Sequence, residues 1–183
     1  MTRAEAWELL CEYTKGEHLR NHGLAVEAAM AWYAKKFAGE EEDWRVVGLL
    51  HDFDYERYPS MPDHPLKGAE ILAERNLPAP LIRAIKSHVT GVGISRETMM
   101  EKTLFAVDEL TGFIIAVALV RPSKRVADVT VKSVKKKMKD KAFARAVNRD
   151  EIVEGARELG IPLEDHVQNV IDALITIDEQ LGV

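Results

Sequence analysis

The sequence predicts an all-α fold, and three observations support this prediction. Apolar residues recur at the three- and four-residue spacing of helix faces along most of the 183 residues. Residues typical of helix starts precede these segments, for example Thr2–Arg3–Ala4–Glu5, which has the pattern of a capping box. No segment shows the apolar–polar alternation of a strand. The chain is therefore expected to be a bundle of helices joined by short loops.

The expected helices follow one another closely along the chain. Residues 53–63 contain Pro59 and Pro62 and are expected to form a loop. Ser95 is the expected cap of a long helix that contains Asp108. The expected helical ranges are 3–13, 17–37, 41–52, 63–75, 78–88, 95–120, 128–147 with a kink near Asp140, 149–159 and 163–181.

Length and composition restrict the classes of protein that this chain can belong to. A length of 183 residues suits one domain with a real core. Cys11 is the only cysteine, which excludes an internal disulfide and favours a cytoplasmic location. A net charge of −5 argues against a dedicated nucleic-acid binder. The longest apolar run, residues 112–120, is too short to span a bilayer, so no membrane association is expected.

The stretch GLLHDFDY ends an apolar helix with an imidazole and two carboxylates. Adjacent residues of a helix point about 100° apart, so a metal ion at the helix end can lie between the side chains of His51 and Asp52. The alternative interpretation is an ordinary helix end with exposed charges. The doublet alone does not decide between the two, so the other candidate ligands have to be considered.

Two further candidates lie on apolar helix faces. His22 is flanked by Gly23–Leu24–Ala25–Val26, whereas its rival His18, four residues earlier, has more polar neighbours. His22 is therefore expected to point inward, although a lone buried histidine is usually a packed core residue. Asp108 lies within LFAVDELTGF, where an unpaired carboxylate would be costly to bury.

The remaining histidines lie near helix ends. His64 precedes Pro65 in HPLKGAEIL, and His88 ends the amphipathic segment AIKSHVTG. Each has an ordinary structural explanation, as a helix-entry residue or as a cation near a helix C-terminus. His166 has the polar neighbours Glu164, Asp165 and Gln168, and it is expected to be exposed to solvent.

The order of these residues, His, His–Asp, His, His, Asp, resembles the HD-domain superfamily of metal-dependent phosphohydrolases. The resemblance covers about half of the chain, from NHGLAV through LLHDFD to LFAVDELTG, and it is closest to small bacterial members of the HD or HDIG type. It implies an all-α helical bundle, with residues 1–183 forming one HD-type domain, a motif-bearing core at about 17–120 and C-terminal helices at 126–183. It also implies a main metal site of four residues and two histidines that extend it. The implied ligands are His22, His51, Asp52 and Asp108, then His64 and His88.

Imidazole and carboxylate ligands without thiolates suit one or two ions of Mn, Fe, Co, Ni or Zn. Such ions activate water and neutralise a phosphoryl oxygen. Asp52 is expected to be catalytic and, if two ions bind, to bridge them. Asp54 is expected to be either a base or a partner of a ligand histidine. Lys67, one helical turn after His64, is expected to be a catalytic residue that supplies a cation to the phosphate.

A lysine-rich segment offers a further candidate for phosphate binding. Four lysines share one face of a predicted helix, opposite Val131, Val134 and Met138. They either form a solvated surface or attract a polyanionic substrate. These lysines are Lys132, Lys135, Lys136 and Lys139.

These observations favour a metal-dependent phosphohydrolase acting on a small phosphorylated molecule, such as a nucleotide or dinucleotide. Two alternatives stay open at this level. Some HD-fold proteins hold two iron ions and perform oxidation, and others are non-catalytic regulatory scaffolds that bind metal or nucleotide. Iron content and oxygen consumption would identify the first alternative, and absence of turnover would identify the second.

Overall fold

The computed structural model describes residues 1–182, and all of its regular secondary structure is helical. This confirms the predicted fold class. No helix in the described range is both long and apolar enough to cross a bilayer. The helices are α1 (Arg3–Tyr13), α2 (Glu17–Lys36), α3 (Glu41–Leu50), α4 (Asp63–Glu74), α5 (Ala79–Ser87), α6 (Met99–Leu119), a short 3₁₀ helix (Val126–Asp128), α7 (Val131–Met138), α8 (Arg149–Leu159), α9 (Leu163–Ile175) and α10 (Asp178–Leu181).

Helices α2 and α6 form the centre of the bundle. Helix α2 packs against α3, α6 and α9, and α6 also packs against α5 and α8. Their inward faces carry fully buried apolar side chains, including Met30 and Tyr33 from α2 and Leu110, Phe113 and Ile114 from α6. Burial of each such side chain contributes about 1.5–3 kcal/mol, so this central pair provides a rigid support for the residues that it carries.

A buried carboxylate joins the first three helices. Glu27 of α2 is only 4% exposed. It accepts hydrogen bonds from Arg3 of α1 at 2.9–3.0 Å and from Arg45 of α3 at 3.0 Å. Pairing with two guanidinium groups offsets the cost of burying the charge. This arrangement fixes α3 beside α2.

Several helix boundaries agree with the sequence expectations, and others differ for identifiable reasons. The capping box of Thr2 and Glu5 is present as predicted. The expected cap of α6 was wrong, because Thr98 and Glu101 form the capping box, whereas the Ser95 hydroxyl donates to Glu97. Thr98 is favoured because it has a glutamate three residues later.

The lysine-rich helix is shorter than predicted. Helix α7 begins after the cap Thr130 and ends at Met138, instead of extending from 128 to 147. Residues 141–146 form turns, and Arg149 donates to the backbone carbonyls of Asp140, Ala144 and Val147 in and beside them. Arg149 thus stabilises a non-helical connection that periodicity alone did not predict.

Candidate metal centre

Six side chains from α2, α4, α6, the turn after α3 and the C-terminal end of α5 converge at one site. They form two groups of three, in each of which the ligand atoms lie within 4.8 Å of one another. The first group is His22, His51 and Asp108, and the second is Asp52, His64 and His88. These are the six residues that the sequence predicted as metal ligands.

The first group joins three helices. His22 Nε2 of α2 lies 3.0 Å from Asp108 Oδ1 of α6 and 3.1 Å from His51 Nε2. His51 Nε2 is 3.5 Å from the same carboxylate oxygen. Two ligand atoms that are each about 2.1 Å from one ion, at right angles, are about 3.0 Å apart. The observed spacings fit ligands of a single transition-metal ion.

Asp52 connects the two groups. Its Oδ1 is 3.2 Å from His64 Nε2 and 3.2 Å from His88 Nε2, while its Oδ2 is 3.6 Å from His51 Nε2. One oxygen therefore faces the second group and the other faces the first. Asp52 would thus be within reach of a metal ion held by either group.

Three of the histidines are held with Nε2 directed into the centre. The Nδ1–H of His51 donates to the carbonyl of Gly48 at 2.8 Å, and the Nδ1–H of His88 donates to the carbonyl of Ile85. In each case the acceptor belongs to the last turn of the helix that the histidine ends. Because Nδ1 carries the proton, Nε2 keeps its lone pair for a metal.

His64 is oriented by Asp54 in a similar way. Its backbone is non-helical, with φ −80° and ψ 130°, because the residue before a proline avoids the helical region. Asp54 is 1% exposed; its Oδ1 accepts from His64 Nδ1 at 2.8 Å and its Oδ2 accepts from the Gly68 amide at 2.8 Å. A Cβ at Gly68 would lie 2.7 Å from Asp54 Cγ, so only glycine leaves room for this carboxylate.

Asp54 was expected to be either a base or the partner of a ligand histidine, and its contacts bear on this choice. Both of its oxygens are occupied, by His64 Nδ1 and the Gly68 amide, so Asp54 is placed to orient His64 and does not face the cavity. Asp54 is not among the residues that line the cavity in front of the ligands.

The clustering of carboxylates and imidazoles shifts their acidities. Burial disfavours charge on His51 and His64, but neighbouring carboxylates outweigh this effect and raise the pKa of each to about 9. Burial opposes ionisation of Asp52 and Asp108, yet the adjacent histidines hold the pKa of both well below the usual value. The centre thus gathers positive charge from protons when a metal ion does not supply it.

The ligands open into a cavity of about 570 Å³. Its walls include Tyr55 and Met61 from the loop after α3, and Val89 and Thr90 from the loop after α5. Glu109 and Glu151 provide carboxylates, and among the described residues the lining contains no lysine or arginine. Burial and the neighbouring Asp108 raise the pKa of Glu109 to about 7. Positive charge for a phosphate in this cavity would therefore come from metal ions or protons held by the His and Asp groups.

The predicted phosphate-binding lysines lie elsewhere. The ammonium of Lys67 pairs with Glu70 at 2.9 Å, and Lys67 does not line the cavity. Lys132 and Lys139 are exposed, and Lys135 pairs with Glu164. Lys136 lines a different cavity, which also includes Val117 of α6. Val117 lies nine residues after Asp108, which is about 14 Å along the helix axis. The structure thus gives none of the five lysines a contact with the ligand cavity.

Two histidines complete the comparison with the sequence. His18 is exposed, so His22 is the one that reaches the centre. The expectation that His166 is solvated was wrong, because it is fully buried between Tyr33 and the carbonyl of Ala106. Its spacing from Val167, Val170, Ile171 and Leu174 places it on the apolar face of α9, a signal that its charged neighbours obscured.

Sequence reasoning also missed the cavity walls. Glu109 adjoins Asp108 and could have been inferred from that position. Glu151 lies on α8, in a part of the chain that carries no sequence motif, so only the packing of α8 against α6 reveals it.

Comparison with known proteins agrees with this geometry. No solved structure matches the chain. The family model described as "HD domain" matches residues 19–177, which extends well beyond the predicted motif segments and includes α8 and α9. A match over so much of the sequence, together with His and Asp groups that could hold a metal, points to a metal-dependent hydrolase: the chain belongs to the HD domain family.

Proposed function

We propose that the protein is a metal-dependent phosphohydrolase that acts on a small phosphorylated substrate, a nucleotide or dinucleotide. The observation that carries this proposal is the position of Asp52 between two groups of ligands at the base of an open cavity. We further propose that residues 1–183 form one HD-type domain, which the extent of the family match supports.

The donor set fits one or two ions of Mn, Fe, Co, Ni or Zn. All six ligands supply nitrogen or carboxylate oxygen, and thiolates are absent from the two groups. When bound, such ions supply Lewis acidity and a lowered pKa for water. The remaining tasks of orientation, substrate binding and charge balance depend on residues of this chain.

Orientation of the ligands comes from fixed hydrogen bonds. The carbonyls of Gly48 and Ile85 and the carboxylate of Asp54 each accept from one histidine Nδ1–H, which prevents ring rotation. Asp52 keeps its two oxygens directed to the two groups. A reacting phosphate would therefore meet a site that needs little reorganisation during the reaction.

The cavity walls favour a substrate with few negative charges. Glu109 and Glu151 disfavour additional phosphates, and they can accept hydrogen bonds from hydroxyl groups such as those of a ribose. Met61, Val89 and Val147 offer apolar surface to a base. These features support a phosphate ester with one metal-bound phosphate group over a free polyphosphate.

The test is a comparison of Asp52→Ala with Asp43→Ala. Asp43 is an exposed carboxylate in the first turn of α3, the helix that ends at His51. Each protein is purified without added metal, reconstituted with Mn²⁺, Fe²⁺, Co²⁺, Ni²⁺ or Zn²⁺, and assayed for phosphate release from nucleoside monophosphates and dinucleotides. We expect metal-dependent turnover for the parent protein and Asp43→Ala, and at least a thousandfold loss in kcat for Asp52→Ala because its metal arrangement is lost.

Phosphate release that persists in Asp52→Ala, or that persists after complete metal removal, would contradict the hydrolytic mechanism. Oxygen consumption by the iron-loaded protein, without phosphate release, would instead favour an oxidative reaction at the same ligands.

A further inference from the structure

A second cavity lies between the C-terminal end of α6 and the lysine-rich helix α7. It has a volume of about 270 Å³ and shares no lining residue with the metal cavity. Its walls are formed by Val117, Val120, Arg121, Ser133, Lys136, Lys137 and Asp140.

The charges around this cavity are predominantly positive. Arg121, Lys136 and Lys137 contribute three cations against the single carboxylate of Asp140, which gives a local charge of +2. Asp140 already accepts from the Ala142 amide at 3.1 Å and lies 3.8 Å from the Lys137 ammonium. Within residues 1–182, neither Arg121 nor Lys136 forms an ion pair with a carboxylate. Two cations therefore remain available to a ligand.

The guanidinium of Arg121 provides an independent indication. Its Nε is buried and has no hydrogen-bond partner among the described residues. Arginine does not lose its proton in proteins, and an unpaired buried donor typically costs about 1–3 kcal/mol. Buried polar groups of this kind are normally paired with protein, water or a bound ion. The unmet donor belongs to a residue that lines the cavity, so Arg121 keeps unused hydrogen-bonding capacity beside it.

The apolar part of the lining indicates what else the ligand carries. Val120 is 59% exposed, although it lies next to the buried Val117. A ligand in this cavity would cover Val120 while an anionic group reaches Arg121 and Lys136. The planar guanidinium can donate two parallel hydrogen bonds to one phosphate, which an ammonium cannot do.

We propose that this cavity is a binding site for a small phosphorylated molecule with an apolar portion, separate from the metal centre. Arg121 and Lys136 bind the phosphate, and Val117 and Val120 contact the apolar portion. The proposal does not depend on the hydrolytic activity, because none of these residues contributes to the metal cavity.

The experiment titrates the full chain, kept free of metal with a chelator, with inorganic phosphate and with phenyl phosphate by calorimetry. The first cavity is lined by histidines that can also hold an anion when metal is absent, so the variants and the NMR shifts below decide which cavity binds it. We expect saturable binding, tighter for phenyl phosphate because of its apolar ring. We expect Arg121→Ala and Lys136→Ala to weaken binding by about tenfold or more, corresponding to about 1.4 kcal/mol.

Lys139→Ala is the matched control. Lys139 directly follows α7, the helix that carries Lys136; it is exposed and does not line the cavity. Its affinity should stay within about twofold of the parent protein, because Lys139 does not line the cavity and an exposed charge without direct contact contributes little. Arg121→Lys should recover only part of the loss, since lysine keeps the charge but lacks the bidentate geometry. Backbone amide NMR shifts on titration should be largest near Ser133 and Val117.

Three results would overturn the proposal: no saturable binding by the parent protein, an equal loss in Lys139→Ala, or NMR shifts centred on Asp52 and His64. The second result would instead indicate a diffuse polyanion-binding surface. Circular dichroism establishes that each variant is folded. If Arg121→Ala does not fold, unchanged affinity in Lys136→Ala would by itself contradict the proposal.

Discussion

At the scale of single residues, Asp54 shows how one carboxylate fixes two neighbours. Its two oxygens accept from the His64 ring and from the Gly68 amide, at 2.8 Å each. The first contact selects the tautomer of His64, and the second anchors the carboxylate to α4. Because Asp54 is buried, both contacts form in a region where an unsatisfied donor is costly.

Asp54→Asn should therefore weaken metal binding at the group containing His64. An asparagine side chain has one acceptor atom, so either His64 or Gly68 loses its partner, and the amide group faces a donor. We expect a 10–100-fold loss of affinity for the metal held by His64 and His88, measured by metal titration. Asp63→Asn, an exposed change one residue before His64, is the control. Equal metal affinities in the two variants would show that Asp54 has no positioning role.

His166 provides a residue-scale prediction on pH. Its Nε2–H donates to the Ala106 carbonyl at 2.9 Å, and its Nδ1 accepts from the Tyr33 hydroxyl at 2.6 Å. Burial lowers the pKa of His166 to about 4, and burial raises that of Tyr33 to about 12. The pair is therefore neutral in the folded protein at pH 7.

The folded-state pKa of His166 lies below the value of about 6.5 in an unfolded chain. Between these values the unfolded chain binds a proton that the folded protein does not, so this contribution to stability is complete above pH 6.5 and declines towards pH 4. The free energy of unfolding should fall by up to about 1.4 kcal/mol per pH unit in this range. In His166→Gln, the free energy of unfolding measured with urea should depend less steeply on pH, at the same metal concentration as for the parent protein. An identical pH dependence in the two proteins would contradict the assignment.

At the scale of elements, the contact between α6 and α8 depends on a glycine. A Cβ on Gly155 of α8 would lie 2.5 Å from the Cα of Ala106, which is backbone and cannot move aside easily. A Cβ on Gly112 of α6 would have nothing within 4 Å. The two helical glycines therefore differ in whether a methyl group fits.

This difference gives a matched pair of substitutions. Gly155→Ala should destabilise the protein by about 1–3 kcal/mol through overpacking. Gly112→Ala should be neutral or stabilise it by up to about 1 kcal/mol, because alanine has the higher helix propensity. Urea denaturation of both variants measures the effect. Equal stabilities would mean that α8 can shift away from α6 at little cost.

The elements also show what could be predicted from the sequence. The all-α class and most helix positions follow from periodicity and capping, and His51 and His88 could be placed because each ends an amphipathic helix. Periodicity could not locate the end of α7, which depends on carbonyl contacts of Arg149. It also could not place the lysines relative to the candidate metal centre. Helix α7 packs near the C-terminal end of α6, away from Asp108. Distances between helices depend on packing that sequence spacing does not encode.

At the scale of the whole molecule, the six candidate metal ligands connect segments between His22 and Asp108. They come from α2, α4 and α6, from the C-terminal ends of α3 and α5, and from the turn that follows α3. A metal ion bound by these residues would cross-link helices that are far apart in sequence. Unfolding would separate the ligands and lose most of the binding free energy.

Metal binding should therefore raise thermal stability. At a free metal concentration of 100 times the Kd, the stabilisation is about 2.7 kcal/mol for one site. We expect the Tm of the protein, measured by circular dichroism at increasing Mn²⁺ or Zn²⁺, to rise with the logarithm of metal concentration. His51→Ala should lose most of this increase, and His18→Ala, an exposed change on α2, should retain it. A Tm that does not respond to any of the candidate metals would contradict a metal site in the folded state.

The anchoring of His51 and His88 to the last turns of their own helices has a consequence for diversification. Their ring orientations are set by Gly48 and Ile85, before the chain enters the loops that supply Tyr55, Met61, Val89 and Thr90 to the cavity wall. Replacement of residues in these loops leaves those two hydrogen bonds in place. Substitutions at these wall residues can thus reshape the cavity while the orientation of His51 and His88 is kept.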